Sequence, residues 1–269
     1  MKVFAGAAAV ILATAPVAIA ASPHKATEVL VHGAFETSGV WDRVTAKLEK
    51  DGYSVKTVDL PGRPGNEAPM SAISLDLYQQ TIATAIAGER HPVVLVGHSF
   101  GGFAISAEAE AEPDKVQTLL YVAAYLPRSG DSLLTMATAD RGSKLAPLLV
   151  INKEKGYASV APEAGAAVFA SDAPAAVQSI VAGGIVNEPL APLVTPIVLT
   201  DSRFGSVDKV TIRTLRDQVV STPFQVEMAK STPVRLQLTI DTGHTPFVTE
   251  PNRLALEIEK AAGPHRRTL

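Results

Sequence analysis

Hydrophobic positions along the chain follow two spacings in turn, which predict alternating strands and helices. The apolar run Val93–Val96 is continuous, as expected for a strand buried on both faces of a parallel sheet. The segment 40–48 repeats its apolar residues at the spacing of one helix face. Such pairs of strand and helix follow one another over residues 28–122 and again from residue 210 onward. This order predicts an α/β fold with a mostly parallel, doubly wound sheet.

The alternation breaks between residues 127 and 196, a stretch rich in alanine and interrupted by proline. It shows no convincing strand pattern and predicts short helices inserted into the sheet domain. We call residues 127–196 the cap segment and expect residues 21–126 and 197–269 to form the core. The apolar residues of the cap segment that we expect to line a pocket are Val150, Ile151, Val168, Phe169, Ile180 and Val181.

The first twenty residues resemble an export signal. Lys2 precedes a nearly unbroken apolar run, and Ala18 and Ala20 are small residues where a signal peptidase reads. The run is too short and too rich in alanine for a transmembrane helix. We therefore expect residues 1–20 to be a cleaved signal peptide and the mature chain to be secreted or periplasmic, without stable membrane insertion. A retained anchor or a buried first helix is the alternative.

Composition narrows the classes of function. The chain of 269 residues has 24 Lys and Arg against 27 Asp and Glu, and no basic run of the kind that binds nucleic acid. It contains no cysteine, which excludes disulfides, thiolate metal sites and a cysteine nucleophile. Neither a phosphate loop, a dinucleotide-binding fingerprint nor a cluster of metal ligands is present in the sequence, so we expect no cofactor and no metal. The oligomeric state stays open.

The strongest chemical signal is the segment 97–102, GHSFGG. It has the G-x-S-x-G spacing of a nucleophile elbow, in which Ser99 stands on a sharp turn between a strand and a helix. Strand and helix approach closely at such a turn, so the positions of Gly97 and Gly101 must lack bulk. The segment directly follows a predicted strand and opens a predicted helix, which is the context that the motif requires.

A serine nucleophile needs a general base and an acid that orients the base. In hydrolases with this elbow the chain order is serine, acid, histidine. His244 follows the last predicted strand and fits the base, whereas His265 lies in the polar tail. Asp217 and Asp201 are rival candidates for the acid. We favour Asp217 because one helix and one strand lie between it and His244, as this fold requires. A further strand, beginning at Val210, would lie between Asp201 and His244.

Two backbone N–H groups should stabilise the oxyanion that forms during attack on a carbonyl. One is expected at Phe100, directly after the nucleophile, and the other at Ala34, in the loop after the first predicted strand. His32 and His98 lie beside these groups in sequence. We expect both histidines to pack or hydrogen-bond locally and assign neither a chemical role.

Several segments together resemble the plant methylesterase and hydroxynitrile lyase group of the α/β-hydrolase superfamily, with its bacterial esterase relatives. They are VLVHGAF, VVLVGHSFGG, LLYVAAYLP and DTGHTPFVTEP. TLRDQVV resembles the acid segment of that group, which supports Asp217. The resemblance implies an α/β-hydrolase fold with a small helical cap. It also implies a carboxylesterase that cleaves a small-molecule ester through an acyl-enzyme on Ser99.

The chain departs from that group at positions that matter for chemistry. The lyases have a threonine at the position of Gly33 and a lysine at that of Thr245, and the plant enzymes have a Cys-His pair where this chain has Phe35 and Glu36. Gly33 and Thr245 therefore disfavour lyase activity, and Phe35 and Glu36 mean that the substrate preference of the plant enzymes does not carry over to this chain. Hydroxynitrile-lyase-like or acyltransferase activity and non-enzymatic binding of a small molecule are the alternatives to ester hydrolysis.

Overall fold

The computed structural model describes residues 25–263, so the expected signal peptide and His265 lie outside the described residues. The strands in this part of the chain are β1 (Glu28–Val31), β2 (Val55–Val58), β3 (Val93–His98), β4 (Val116–Val122), β5 (Leu149–Asn152), β6 (Tyr157–Val160), β7 (Glu188–Pro189), β8 (Asp208–Thr214) and β9 (Leu236–Ile240). Six of them form the central sheet in the order β2-β1-β3-β4-β8-β9. All neighbouring strands of this sheet are parallel, which confirms the predicted sheet class.

Helices cover both faces of the central sheet. They are α1 (Asp42–Lys50), α2 (Leu75–Ile86), α3 (Gly101–Ala111), α4 (Leu133–Ala139), α5 (Pro162–Phe169), α6 (Ala175–Gly184), α7 (Leu190–Val194), α8 (Thr222–Ser231), α9 (Pro246–Thr249) and α10 (Pro251–Ala262). Helices α1 and α10 pack together on one face, and α2 and α3 pack together on the other. Within residues 25–263, no helix is long and apolar enough to span a membrane.

Side-chain alternation along the buried strands explains how one sheet serves two cores. In β1, Val29 and Val31 join the core under α2 and α3, whereas Leu30 joins the core under α1 and α10. Residues of β3 divide between the two cores in the same way. Because successive side chains point to opposite faces, a strand with both faces buried must be apolar throughout. The continuous apolar run Val93–Val96 therefore has a structural cause.

The cap segment contains strands as well as helices, so the expectation of helices alone is wrong. Strands β5, β6 and β7 form a small antiparallel sheet in that order. A hairpin joins β5 to β6 through residues 153–156, with Gly156 in the left-handed region at a φ of 71°. These strands have two to four residues each, too few to show a clear period of two.

Candidate active site

Ser99 stands at the end of β3 in a conformation that non-glycine residues rarely adopt. Its φ is 50°, in the left-handed region. Its N–H donates to the Val122 carbonyl at 3.2 Å, and its own carbonyl accepts from Gly102 N at 3.2 Å and Tyr125 N at 3.1 Å. These three hydrogen bonds hold the strained turn in place, as a conformation of this kind requires.

The glycines around Ser99 are required by close backbone approach. A Cβ on Gly97 would lie 2.7 Å from the Gly101 carbonyl oxygen, and one on Gly101 would lie 2.8 Å from the His32 carbonyl oxygen. Gly102, to which the sequence analysis gave no role, is equally constrained because a Cβ there would overlap the Tyr125 carbonyl oxygen. Strand β3, helix α3 and the loop after β1 therefore meet at backbone distance around Ser99.

His244 is paired with Asp217. The distance from His244 Nδ1 to Asp217 Oδ2 is 2.9 Å, and both side chains are buried. Asp201, the rival, is exposed and lies beside Gly205 in the turn before β8. The structure thus brings together His244 and the aspartate that follows β8.

The Asp217 carboxylate is saturated with hydrogen-bond donors. Its Oδ1 accepts from the backbone N–H groups of Val219 at 2.8 Å and Val220 at 3.0 Å. Its Oδ2 accepts from Thr214 Oγ1 at 2.8 Å and Gln225 Nε2 at 3.0 Å, in addition to His244. This arrangement fixes the carboxylate in one orientation.

The loop after β1 presents three successive amides, of which the outer two are occupied. Gly33 N–H donates to Glu36 Oε2 at 2.7 Å, and Phe35 N–H donates to Glu188 Oε2 at 3.0 Å. Among residues 25–263, no protein acceptor is hydrogen-bonded to Ala34 N–H or Phe100 N–H. The two amides expected to hold an oxyanion are therefore available to a ligand.

His98, directly before Ser99 in sequence, connects the loop after β1 with the loop that holds His244. Its Nδ1 lies 2.9 Å from Glu36 Oε2, and its Nε2 lies 2.9 Å from the His244 carbonyl oxygen. Both neighbours are acceptors, so both ring nitrogens donate and the ring is an imidazolium. Burial opposes this charge, but the Glu36 carboxylate and the hydrogen bond to the His244 carbonyl together outweigh burial and raise the pKa of His98. Burial likewise opposes ionisation of Glu36, yet the facing His98 holds the pKa of Glu36 below its usual range.

His32 has the opposite protonation state. Its Nδ1–H donates to the Gly33 carbonyl at 2.8 Å, and its Nε2 accepts from Leu60 N–H at 3.1 Å, which requires a neutral ring. Burial, reinforced by the nearby Arg63, lowers the pKa of His32 to about 4. His32 therefore ties the loop after β1 to the loop after β2.

A buried ion pair that the sequence analysis missed joins the cap segment to the core. Glu188, on β7, pairs with Arg63, and the Tyr78 hydroxyl donates to Glu188 Oε1 at 3.0 Å. Both side chains of the ion pair are fully buried. Val186 N–H also donates to the Phe35 carbonyl at 3.0 Å. The positions of Arg63 and Glu188 are 125 residues apart in sequence, so no local pattern could have connected them.

Aromatic side chains of the cap segment and the core meet beside His244. The ring of Phe169 stacks on that of His244 with centroids 6.0 Å apart, and Phe35 lies 6.3 Å from Phe169. Thr245 Oγ1 donates to the Phe169 carbonyl at 3.1 Å, which fixes the end of α5 against the histidine loop. An apolar wall therefore borders the candidate active site.

The pocket expected from the cap segment is only partly formed by the expected residues. Val150, Ile151 and Ile180 are 62%, 42% and 75% exposed, so their assignment to a pocket wall is wrong. Val150 and Ile151 lie on the small sheet, and Ile180 lies on α6, a helix with no buried residue. Val168 and Phe169 do belong to the buried core cluster, and Val181 is half-buried and packs against it.

Ser99, the pair of His244 and Asp217, and the amides of Ala34 and Phe100 are groups of the kinds that nucleophilic acyl chemistry uses. A serine on a left-handed turn, an imidazole hydrogen-bonded to a carboxylate and two amides without a protein acceptor are the kinds of group that can act as a nucleophile, a base and an anion site. Within the part of the chain that the structure describes, no three His, Asp or Glu side chains are placed to hold a metal ion.

Comparison with known proteins assigns the chain to a protein family. The family model described as the alpha/beta hydrolase family matches residues 29–257. The chain belongs to this family. Relatives of this alpha/beta hydrolase include a pyrethroid hydrolase of Sphingobium wenxiniae, 29% identical over 236 residues, which make up 84% of each chain. The crystal structure of a pyrethroid hydrolase from Sphingobium faniae JZ-2 superposes with a TM-score of 0.76 and 26% identity, covering 88% of this chain and 97% of that one.

A chloroplastic methylesterase-like protein of Arabidopsis thaliana is also similar to this alpha/beta hydrolase. It is 28% identical over 249 residues, which make up 86% of this chain and 63% of that protein. The chain therefore spans less than two thirds of this plant relative's length. Both kinds of relative agree with the resemblance that the sequence motifs indicated.

Proposed function

We propose that this alpha/beta hydrolase cleaves carboxylic esters of small molecules through an acyl-enzyme on Ser99. The observation that carries the proposal is the 2.9 Å hydrogen bond between His244 and Asp217, in a molecule whose elbow serine has a φ of 50°. A histidine oriented by a carboxylate is what converts a serine hydroxyl into a nucleophile. The names of the relatives, a pyrethroid hydrolase and a methylesterase-like protein, support an ester as substrate.

Each step of the proposed reaction uses a group of this chain. His244 Nε2 takes the Ser99 hydroxyl proton while Oγ attacks the ester carbonyl, and Asp217 stabilises the imidazolium that forms. The N–H groups of Phe100 and Ala34 bind the resulting oxyanion. Collapse of the intermediate expels the alcohol, which receives its proton from His244. Water then attacks the acyl-enzyme with His244 as base, which releases the acid and restores the serine.

The substrate we propose has an apolar group next to the ester. Phe35 and Phe169 border the site and can bury such a group against His244. Each buried methylene contributes roughly 0.8 kcal/mol to binding, so larger apolar esters should have higher kcat/KM than acetyl esters of polar alcohols.

The lyase alternative lacks its distinguishing groups. A Cβ on Gly33 would lie 2.8 Å from the Ser99 Cβ, so the threonine of the lyases does not fit this backbone. Thr245 has no ammonium group, and its hydroxyl is engaged with the Phe169 carbonyl. Cyanide release from cyanohydrins should therefore be absent.

The deciding experiment combines kinetics with covalent labelling. A chromogenic ester should give a burst of alcohol stoichiometric with enzyme when deacylation is slow. An organophosphate should add one phosphoryl group, found on Ser99 by mass spectrometry. Ser99→Ala should abolish both signals, whereas Ser179→Ala, at an exposed serine of α6, should leave both intact. Full esterase activity in Ser99→Ala, or an adduct on another residue, would refute the proposal.

A further inference from the structure

The amide of Ala34 lies between two amides that are each held by a buried glutamate. Glu36 binds Gly33 N–H at 2.7 Å, and Glu188 binds Phe35 N–H at 3.0 Å. Successive peptide planes share their Cα atoms, so fixing the planes on both sides restricts the direction of the one between them. Ala34 N–H is the donor left for an oxyanion.

Backbone strain at Phe35 shows that this loop needs external support. Its φ of 65° is in the left-handed region, which costs on the order of 1–3 kcal/mol for a residue with a side chain. The Phe35 carbonyl accepts from Val186, and its N–H donates to Glu188, so the cap segment holds both polar groups of this peptide residue. The strained conformation therefore depends on contacts made by the cap segment.

The two glutamates are themselves fixed by cations. Glu36 Oε2 receives both Gly33 N–H and His98 Nδ1–H, so a single oxygen ties the loop to the end of β3. Glu188 is paired with Arg63, and Arg63 Nε also donates to the Glu36 carbonyl at 3.1 Å. Both carboxylates are thus locked in orientations from which they can hold the flanking amides.

We propose that Glu36 and Glu188 are positioning residues that aim the Ala34 N–H at the oxyanion. The inference rests on the proposed ester hydrolysis and adds the groups that organise its anion site. The cap segment then contributes to catalysis itself, through Glu188, in addition to bordering the pocket. Neither glutamate touches the reacting atoms, so both act through the backbone of residues 33–35.

The test replaces each carboxylate by its neutral isostere, in Glu36→Gln and Glu188→Gln. Glutamine keeps one acceptor oxygen but removes the negative charge that faces His98 or Arg63, and its nitrogen adds a donor, so the side chain and the loop that it holds lose part of their support. Removal of a whole oxyanion donor lowers kcat by about 10²–10³, and misplacement by about 1 Å can cost about 10². We expect kcat to fall roughly 10-fold to 100-fold in each variant, with KM changed less than about threefold.

A trifluoromethyl ketone separates positioning from a general loss of structure. It binds as a hemiketal whose oxyanion occupies the site, so its inhibition constant should rise by the same factor by which kcat falls. A non-reacting amide analogue of the substrate should bind as it does to the wild type. All values are taken per active site, titrated with an organophosphate, so that misfolded protein does not contribute.

Two control variants are matched to the glutamates. Glu108→Gln removes another buried carboxylate, on α3, whose partner is Gln79, and should leave kcat and ketone affinity unchanged. Tyr78→Phe removes the hydroxyl that binds Glu188 Oε1 but leaves the Phe35 contact, so its effect should be smaller than that of Glu188→Gln.

The outcomes distinguish this inference from the proposed function. If the wild-type protein neither turns over esters nor is labelled at Ser99, the proposed function fails and the positioning role fails with it. If the wild type is active and both glutamine variants keep wild-type kcat and ketone affinity per active site, only the positioning role is refuted. Equal weakening of the ketone and the amide analogue would also refute it, because the defect would then lie in general binding.

Discussion

Replacing Asp217 by asparagine should change the tautomer of His244 while leaving the shape of the side chain at position 217 nearly unchanged. Oδ1 of Asp217 accepts two backbone N–H groups, those of Val219 and Val220, so the asparagine must place its carbonyl there. Its Nδ2 then faces His244 Nδ1, where it can only donate. His244 is forced to carry its proton on Nε2, the atom that must accept the Ser99 proton.

The size of the effect follows from this exchange. Wrong-tautomer variants of serine hydrolases lose on the order of 10⁴ in kcat, equivalent to roughly 5 kcal/mol of transition-state stabilisation. The asparagine also faces Gln225 Nε2 with a donor, which costs about 1–3 kcal/mol of stability for one unmet buried group. When both are expressed in kcal/mol, the lost transition-state stabilisation should therefore exceed the decrease in the free energy of unfolding.

The assay is steady-state hydrolysis of a chromogenic ester, with urea unfolding of the same samples. Asp201→Asn, at the exposed alternative candidate for the acid, should change neither kcat nor the free energy of unfolding. Asp140→Asn is the buried control, because Asp140 accepts from Ser221 N and Oγ away from His244, and it should lower stability without a 10⁴-fold loss in kcat. Retention of kcat within tenfold in Asp217→Asn would refute the reasoning, as would a larger loss in Asp201→Asn.

Three further predictions follow from other parts of the chain. Gly33→Ala should lower kcat at least tenfold and stability by about 1–3 kcal/mol through overpacking against Ser99, whereas Gly39→Ala, which meets only Thr37 Oγ1 at 3.7 Å, should change neither. Burial and the charge of Glu259 raise the pKa of Glu28 to about 8. The folded state then retains a proton that the unfolded state releases, so stability should decline between pH 4.5 and pH 8, by up to about 5 kcal/mol, in urea titrations. Glu28→Gln should flatten that decline, and an unchanged slope would show that Glu28 is not its source. We also propose export with cleavage after Ala20, which N-terminal sequencing of the exported protein tests, and a mature chain beginning near Met1 would contradict it.

The sequence predicted the core of the fold because its strands and helices have strong local patterns. The continuous run at Val93–Val96 and the glycine spacing around Ser99 each reflect a constraint within a few residues, namely two buried faces and a close backbone turn. The order of elements after β8 also placed Asp217 ahead of Asp201, which the 2.9 Å contact with His244 matches.

What the sequence did not predict depends on contacts between distant segments. Glu188 looks like any surface glutamate in its local sequence, and only the fold brings it to Arg63 and the Phe35 amide. The prediction that Val150 and Ile180 line a pocket was wrong for a related reason, since an apolar residue on a small cap sheet or a peripheral helix can remain exposed. Gly156, between β5 and β6, is a hairpin signal, but the two strands have only four residues each and β6 contains a single β-branched residue, so the local pattern is too weak to predict them.

The hydrogen bonds from Val186 and Glu188 to Phe35 also bear on how this enzyme can diverge or be redesigned. A transplanted cap that shifts the backbone at residue 186 and replaces Glu188 would withdraw both supports from a strained backbone loop next to the nucleophile. Grafts should therefore be joined after residue 169 and before residue 186, or carry a glutamate that reproduces the ion pair with Arg63. Sequence changes along a lineage are expected to accumulate in α6 and the β5–β6 hairpin, where replacement leaves the reaction centre undisturbed.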